Sequence, residues 1–189
     1  MNVAIIDNYD SFTYNLVHYV EGILNKEITV FLNDKVSSEA LQPFDKIILS
    51  PGPGLPENAG KLKEIIRENA GKKIFLGVCL GHQAIGEVFG ATLQNPDKVF
   101  HGVATPVKIT DASHVIFRNL PSEFLVGRYH SWVVDKETLP SDLKVTAVDE
   151  QGYVMAMRHT EKKIHSVQFH PESVLTEYGR EIIKNFLEA

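Results

Sequence analysis

The 189-residue chain reads as an α/β protein: a mostly parallel central sheet flanked by helices, with additional antiparallel strands in the C-terminal half. Two observations predict this. Through the first half, short apolar runs alternate with amphipathic stretches across short loops, the pattern of strand–helix–strand crossovers. In the second half, strand-like runs follow one another separated only by turns, as antiparallel strands do.

Taken in order, "NVAIID" (2–7) is an apolar run that predicts a buried strand. "SFTYNLVHYVEGIL" (11–24) places Phe12, Leu16, Tyr19, Val20 and Ile23 on one helical face, with Ser11 or Asp10 as N-cap. "EITVFLN" (27–33) and "KIILS" (46–50) predict the second and third strands, the latter ended by "PGPGLP". "KLKEIIRENA" (61–70) predicts a helix, "KIFLGVC" (73–79) a fourth strand, and "HQAIGEVFG" (82–90) the helix after it. "ATPVKIT", "FLVGRYHSWVV", "LKVTAVDE", "YVMAMRH" and "KIHSVQFH" then read as strands that extend the sheet edge or form a small side sheet. "EYGREIIKNFLEA" predicts a terminal helix with Ile182, Ile183 and Phe186 facing inward. Residues 1–189 are read as one domain.

Composition narrows the class. Hydrophobic residues make up 43% and charged residues 23% of the chain, enough for a core without staples or metals. The single cysteine cannot form an internal disulfide, so nothing points to an oxidising compartment. "MNVAIIDNYD" lacks the basic start and long apolar run of a signal peptide. No window approaches the ~18 apolar residues of a membrane span. A cytoplasmic location with no membrane partner is expected. The net charge of −5 argues against nucleic acid as a partner. The eight histidines show no HExxH and no zinc-type spacing with cysteine, so no metal site is expected.

The cysteine lies in "GVCLGHQ" (77–83), between a strand and a helix. Gly77–Val78–Cys79–Leu80–Gly81 is G-x-C-x-G, the thiol counterpart of the G-x-S-x-G nucleophile elbow. A turn that tight needs small residues on both flanks. A nucleophile there stands at the carboxyl end of the sheet, where open α/β sheets place ligands. The adjoining helix N-terminus favours thiolate over thiol. The plainer alternatives are a cysteine that simply packs, and glycines that only let helix and strand approach.

A catalytic thiol needs a base, and the base needs an orienting group. "VQFHPES" (167–173) supplies both, His170 at a strand end and Glu172 two residues on, on the same side of the chain. Pro171 stops the strand. The alternative is a surface His and Glu at a turn. The other histidines (18, 82, 101, 114, 130, 159, 165) have no acid so placed, and His82 points away along its helix. Attack on a carbonyl also needs N–H donors for the oxyanion. Leu80, just after the cysteine, offers one. In Pro51–Gly52–Pro53–Gly54 the prolines have no N–H, so Gly52 and Gly54 are the donors available. A rigid turn after a strand is the competing reading.

"PGPG", "GVCLGHQ" and "VQFHPES", in this order, resemble the class I (triad-type) glutamine amidotransferases over nearly the whole chain. "IDNYDSFTYNL" (6–16), "HG" at 101–102 and "RYHSWVV" (128–134) look like the glutaminase subunits of anthranilate synthase and aminodeoxychorismate synthase. The resemblance implies a flavodoxin-like fold and a Cys79–His170–Glu172 triad acting on L-glutamine. It implies an oxyanion hole of the Gly52 and Leu80 N–H groups. Gly52, Pro53, Gly54, Gln83, Ser131 and Trp132 would hold the substrate, the last two largely through main-chain groups. Gln83 also has a physical case, one helical turn after Cys79. No cofactor is expected in this chain. "GLPENAG" (54–60) departs from relatives that carry Cys or Asp and then Pro, and Trp132 replaces a common Leu.

Released ammonia must reach an acceptor unprotonated, and 189 residues leave no room for a second catalytic domain. A separate synthase subunit is therefore the expected partner, docked around "NYDSF" and His101–Gly102, with glutaminase activity low until it binds. "HGVATPVKIT" and "HSW" lean the resemblance towards anthranilate over aminodeoxychorismate. Two rivals stay open: a cysteine hydrolase of peptides or other γ-glutamyl substrates, and a binding domain with a decayed site.

Overall fold

The structure is a computed structural model that describes residues 1–96 and 99–189. In chain order the elements are β1 (Val3–Asp7), α1 (Thr13–Leu24), β2 (Thr29–Leu32), β3 (Lys46–Leu49), α2 (Leu62–Asn69), β4 (Ile74–Val78), α3 (Leu80–Val88) and β5 (Leu93–Gln94). There follow β6 (Val103–Ile109), β7 (Glu123–Arg128), β8 (Val133–Val134), β9 (Leu143–Asp149), β10 (Val154–His159), β11 (Ile164–Val167) and α4 (Gly179–Glu188).

The main sheet has nine strands in the order β2-β1-β3-β4-β11-β10-β9-β6-β7. From β2 to β11 neighbours run parallel. From β11 to β7 they run antiparallel. β5 and β8 pair separately as a two-stranded sheet. The second half therefore does both things expected of it, extending the edge and forming a side sheet. It also places β11 as a parallel strand beside β4, and that pairing brings the C-terminal "VQFHPES" next to the elbow.

The central strands are buried along their whole length, which is why their sequences run apolar without alternation. The two faces are nonetheless separate. Val3 and Ile5 of β1 pack with Leu16, Val17 and Val20 of α1 and Ile182, Ile183 and Phe186 of α4. Ala4 and Ile6 point the other way, onto Leu62, Ile65 and Ile66 of α2 and Ala84 and Ile85 of α3. This is the two-residue period of a strand sorting side chains into two layers. Among the described residues, no helix is long and apolar enough to cross a membrane.

Several boundaries shift for physical reasons. α1 begins at Thr13, so neither Ser11 nor Asp10 is its N-cap; Phe12 holds that position without a side-chain cap. Asp10 instead accepts from the Phe12 N–H in the preceding turn, at 2.8 Å, and Thr13 donates to Asp7 at 2.8 Å. α3 starts two residues earlier than expected, immediately after Cys79. "FLVGRYHSWVV" is not one strand: β7 stops at Arg128 and β8 resumes at Val133 in the other sheet. β11 stops at Val167, so His170 lies beyond the strand and not at its end.

Candidate active site

Cys79 sits between β4 and α3 with φ 51° and ψ −99°. A non-glycine residue held there carries strain of about 1–3 kcal/mol, which the surroundings must enforce. The flanking glycines show how. A Cβ on Gly77 would lie 2.7 Å from the Gly81 carbonyl, and one on Gly81 would lie 2.6 Å from the Leu49 carbonyl oxygen. No side chain fits at either place. The Cys79 N–H is spent on the Val167 carbonyl at 2.9 Å, which locks the elbow to β11. Leu80 opens α3, so its N–H is one of the donors that a helix N-terminus leaves unpaired.

His170 and Glu172 meet. Nδ1 of the imidazole lies 2.7 Å from the Glu172 carboxylate, and both side chains are buried. The contact forms within a turn, not along a strand, because β11 ends at Val167. His170 is held at both main-chain groups. Its N–H donates to Gly127 at 3.0 Å, and its carbonyl accepts from the Thr176 hydroxyl at 2.6 Å. The rings of Tyr129 and Phe12 pack on the imidazole, with centroids 4.8 and 5.2 Å away. Nε2 is buried and has no hydrogen-bond partner. Burial alone would lower the imidazole pKa, but the neighbouring Cys79 and then Glu172 overcome it and raise the value to about 10. The imidazolium form is the favoured one in this setting.

A cleft of about 280 Å³ opens over the sulfur. Gly52, Pro53, Gly54, Cys79, Gln83, Ser131 and Trp132 line it, with Phe100, Tyr129 and His130 on the far wall. The sequence-derived binding residues are thus brought together around one thiol; Leu80, His170 and Glu172 are not among the residues that line the cleft. Gly52 abuts the elbow, since a Cβ there would come 2.5 Å from a Leu80 methyl and 2.6 Å from Asn8. The loop and the start of α3 are therefore in direct contact. The Trp132 carbonyl is already occupied, accepting from Gln83 at 2.9 Å and from His130 at 3.1 Å. Of its main-chain groups, only the N–H remains for a ligand. His82 does point away: it pairs with Ser166 at 2.9 Å, and complete burial pushes its pKa down to about 3.

Sequence reasoning missed three neighbours. Gln168 donates to the Cys79 sulfur at 3.6 Å. Arg128, fully buried, pairs with Asp149 at 2.7 Å and donates to His130 at 3.1 Å. Phe12 reaches His170 from the β1–α1 turn. Gln168 follows β11 directly, two residues before His170, and nothing in its spacing marks it.

An elbow thiol and a carboxylate-backed imidazole, at the carboxyl edge of an open parallel sheet, are the parts that a cysteine nucleophile of the acyl-transfer class requires. The model of the family Glutamine amidotransferase class-I matches residues 4–189, and this chain belongs to that family. Anthranilate synthase component 2 of Pseudomonas putida is 47% identical over 196 residues, covering 100% of this chain and 97% of the relative. Aminodeoxychorismate/anthranilate synthase component 2 of Bacillus subtilis is 44% identical over 191 residues, covering 98% and 95%. A solved chain from Thermoplasma acidophilum, assigned to GMP synthase, superposes with a TM-score of 0.88 at 27% identity, covering 100% of this chain and 92% of that one.

Proposed function

We propose that this chain hydrolyses L-glutamine to glutamate and ammonia through a thioester on Cys79, and delivers the ammonia to a separate chorismate-using synthase subunit that makes anthranilate. The observation that carries the chemistry is the buried His170–Glu172 pair with its second ring nitrogen unpaired beside a strained elbow thiol.

The steps follow from the geometry. The thiol proton passes to His170 Nε2, and Glu172 on Nδ1 holds the ring in place. The sulfur attacks the carboxamide carbon, and the Gly52 and Leu80 N–H groups receive the oxyanion. Collapse breaks the C–N bond, and His170 returns the proton to the leaving nitrogen as ammonia. Water, activated by the now neutral His170, cleaves the thioester and releases glutamate. These steps draw on side chains, main chain and water, and no cofactor is assigned to this chain. Gln83, with both amide hydrogens engaged by Trp132 and Gln168, presents only its carbonyl oxygen to the cleft as an acceptor.

Ammonia in neutral water is protonated and no longer nucleophilic, so a synthetic role requires a shielded path into a partner, here in a cytoplasmic setting. The names of both relatives mark them as second components. The Bacillus subtilis name covers two products, which favours a second reading in which this chain also serves aminodeoxychorismate synthesis. A diazoketone analogue of glutamine tests the chemistry: it should label Cys79 alone, and excess glutamine should protect. Labelling indifferent to glutamine, or unaffected by Gln83→Ala, would favour a cysteine hydrolase of other substrates. Capture of the synthase on this chain, followed by assay of its aromatic product, separates the two pathways.

A further inference from the structure

We propose that Gln168 is a further catalytic residue, donating its side-chain N–H to the Cys79 sulfur so that the thiolate has a second stabilising partner besides the imidazole. The proposal rests on Cys79 being the nucleophile.

Amide oxygen and nitrogen are easily exchanged in assignment, but here the chain of partners fixes every orientation. A main-chain carbonyl only accepts. The Trp132 carbonyl therefore demands the nitrogen of Gln83, 2.9 Å away. The second hydrogen of that nitrogen points at Gln168, 3.2 Å away, and so demands its oxygen. The Gln168 nitrogen is left facing the sulfur at 3.6 Å, an ordinary N–H to sulfur distance. His130 anchors the start of the chain by the same logic. It accepts from Arg128 on Nε2, so its hydrogen is on Nδ1 and donates to the same Trp132 carbonyl.

The group is built in. Gln168 is completely buried, and its main-chain N–H is pinned to Met155 at 2.9 Å. Ser166, paired with His82, shows that this side of the β11 segment faces α3, where Cys79 lies. Its partners leave this buried amide one satisfied orientation. In that orientation a donor, not an acceptor, meets the reacting atom. A donor strengthens its bond as the sulfur gains charge, whereas an amide oxygen turned to the sulfur would oppose that charge. The directed chain also starts at the loop that the substrate contacts, so a shift of Trp132 would be felt at the nucleophile.

The test is the pH dependence of Cys79 alkylation by iodoacetamide in the intact chain, with glutamine turnover measured in parallel. In Gln168→Met the pH midpoint of labelling should rise by about one unit, and kcat should fall about tenfold with KM little changed. Gln168→Glu, which turns a carboxylate on the sulfur, should raise the midpoint further. Gln83→Leu keeps Gln168 but frees its orientation, and should give a smaller rise. Circular dichroism checks each fold, and the two latter variants decide if the methionine does not fold. Midpoints equal to wild type in the folded variants would overturn the proposal. A wild-type chain whose Cys79 does not alkylate at all would instead defeat the nucleophile reading itself.

Discussion

At the scale of single residues, the elbow is a problem of volume. Gly81 touches the Leu49 main chain so closely that a methyl group must displace a strand, not a side chain. Gly81→Ala should lower stability by about 1–3 kcal/mol in urea titration and reduce activity further by moving Cys79. Glu172→Gln keeps the shape of the carboxylate but loses its charge beside His170. Its expected effect is a fall of about 10²–10⁴-fold in kcat with little change in the unfolding midpoint, read by glutamate release and thermal melting. These residues were legible in the sequence because glycine, cysteine, histidine and glutamate stood at spacings that chemistry restricts. Gln168 and Arg128 were not. An amide and a guanidinium in an apolar stretch carry no spacing rule, and only the folded neighbours at Cys79 and Asp149 give them meaning.

At the scale of elements, two buried cations hold distant segments together, one between sheet and helix and one within the sheet. Lys46, at the start of β3, donates to the main-chain oxygens of Phe186, Leu187 and Ala189 at 2.8, 3.0 and 2.8 Å. It closes the C-terminal end of α4, where unpaired carbonyls and the helix dipole both favour a cation. Lys46→Met should cost about 1–3 kcal/mol in denaturant, and the loss should appear as faster amide exchange in α4. Arg128→Met would strand the buried Asp149 carboxylate, at a cost of about 3–5 kcal/mol by the same measurement. Strand order explains what periodicity could find. The apolar runs of β1, β3 and β4 announced themselves because both faces are covered. The break between β7 and β8 did not, because "YHSWVV" stays apolar while residues 129–132 leave the sheet to wall the cleft. Lys46 read as the polar flank of a strand, since nothing local shows that a distant helix ends on it.

At the scale of the whole molecule, the fold sets a pH dependence of its own. His114 and His165 are hydrogen-bonded to each other at 2.9 Å beneath α4, with Thr146 on the other nitrogen of His114. Burial lowers both, His114 to about 3 and His165 to about 4, from an ordinary 6.5; the charges of His165 and Arg158 add to the effect at His114, against Asp111, and those of Lys46, Arg158 and Lys163 add to it at His165. The unfolded chain then binds protons that the folded chain refuses, so stability should fall as pH drops from about 6.5 towards 4. His170 contributes with the opposite sign. Its raised value means that its share of stability is present below 6.5 and is lost as pH rises through about 10. Melting temperatures from pH 7 to pH 4 should decline, and His114→Gln should flatten the decline; an unchanged slope would remove the histidine pair from the explanation.

The central claim is that one sulfur carries the glutamyl group between bond breakage and hydrolysis. The most direct measurement is mass spectrometry of the chain, acid-quenched during glutamine turnover with the proposed synthase partner present. A glutamyl adduct confined to the peptide containing Cys79, growing when Glu172→Gln slows the hydrolytic step, is the predicted result. Glutamate released at the wild-type rate by Cys79→Ala, with no adduct on any peptide, would contradict it.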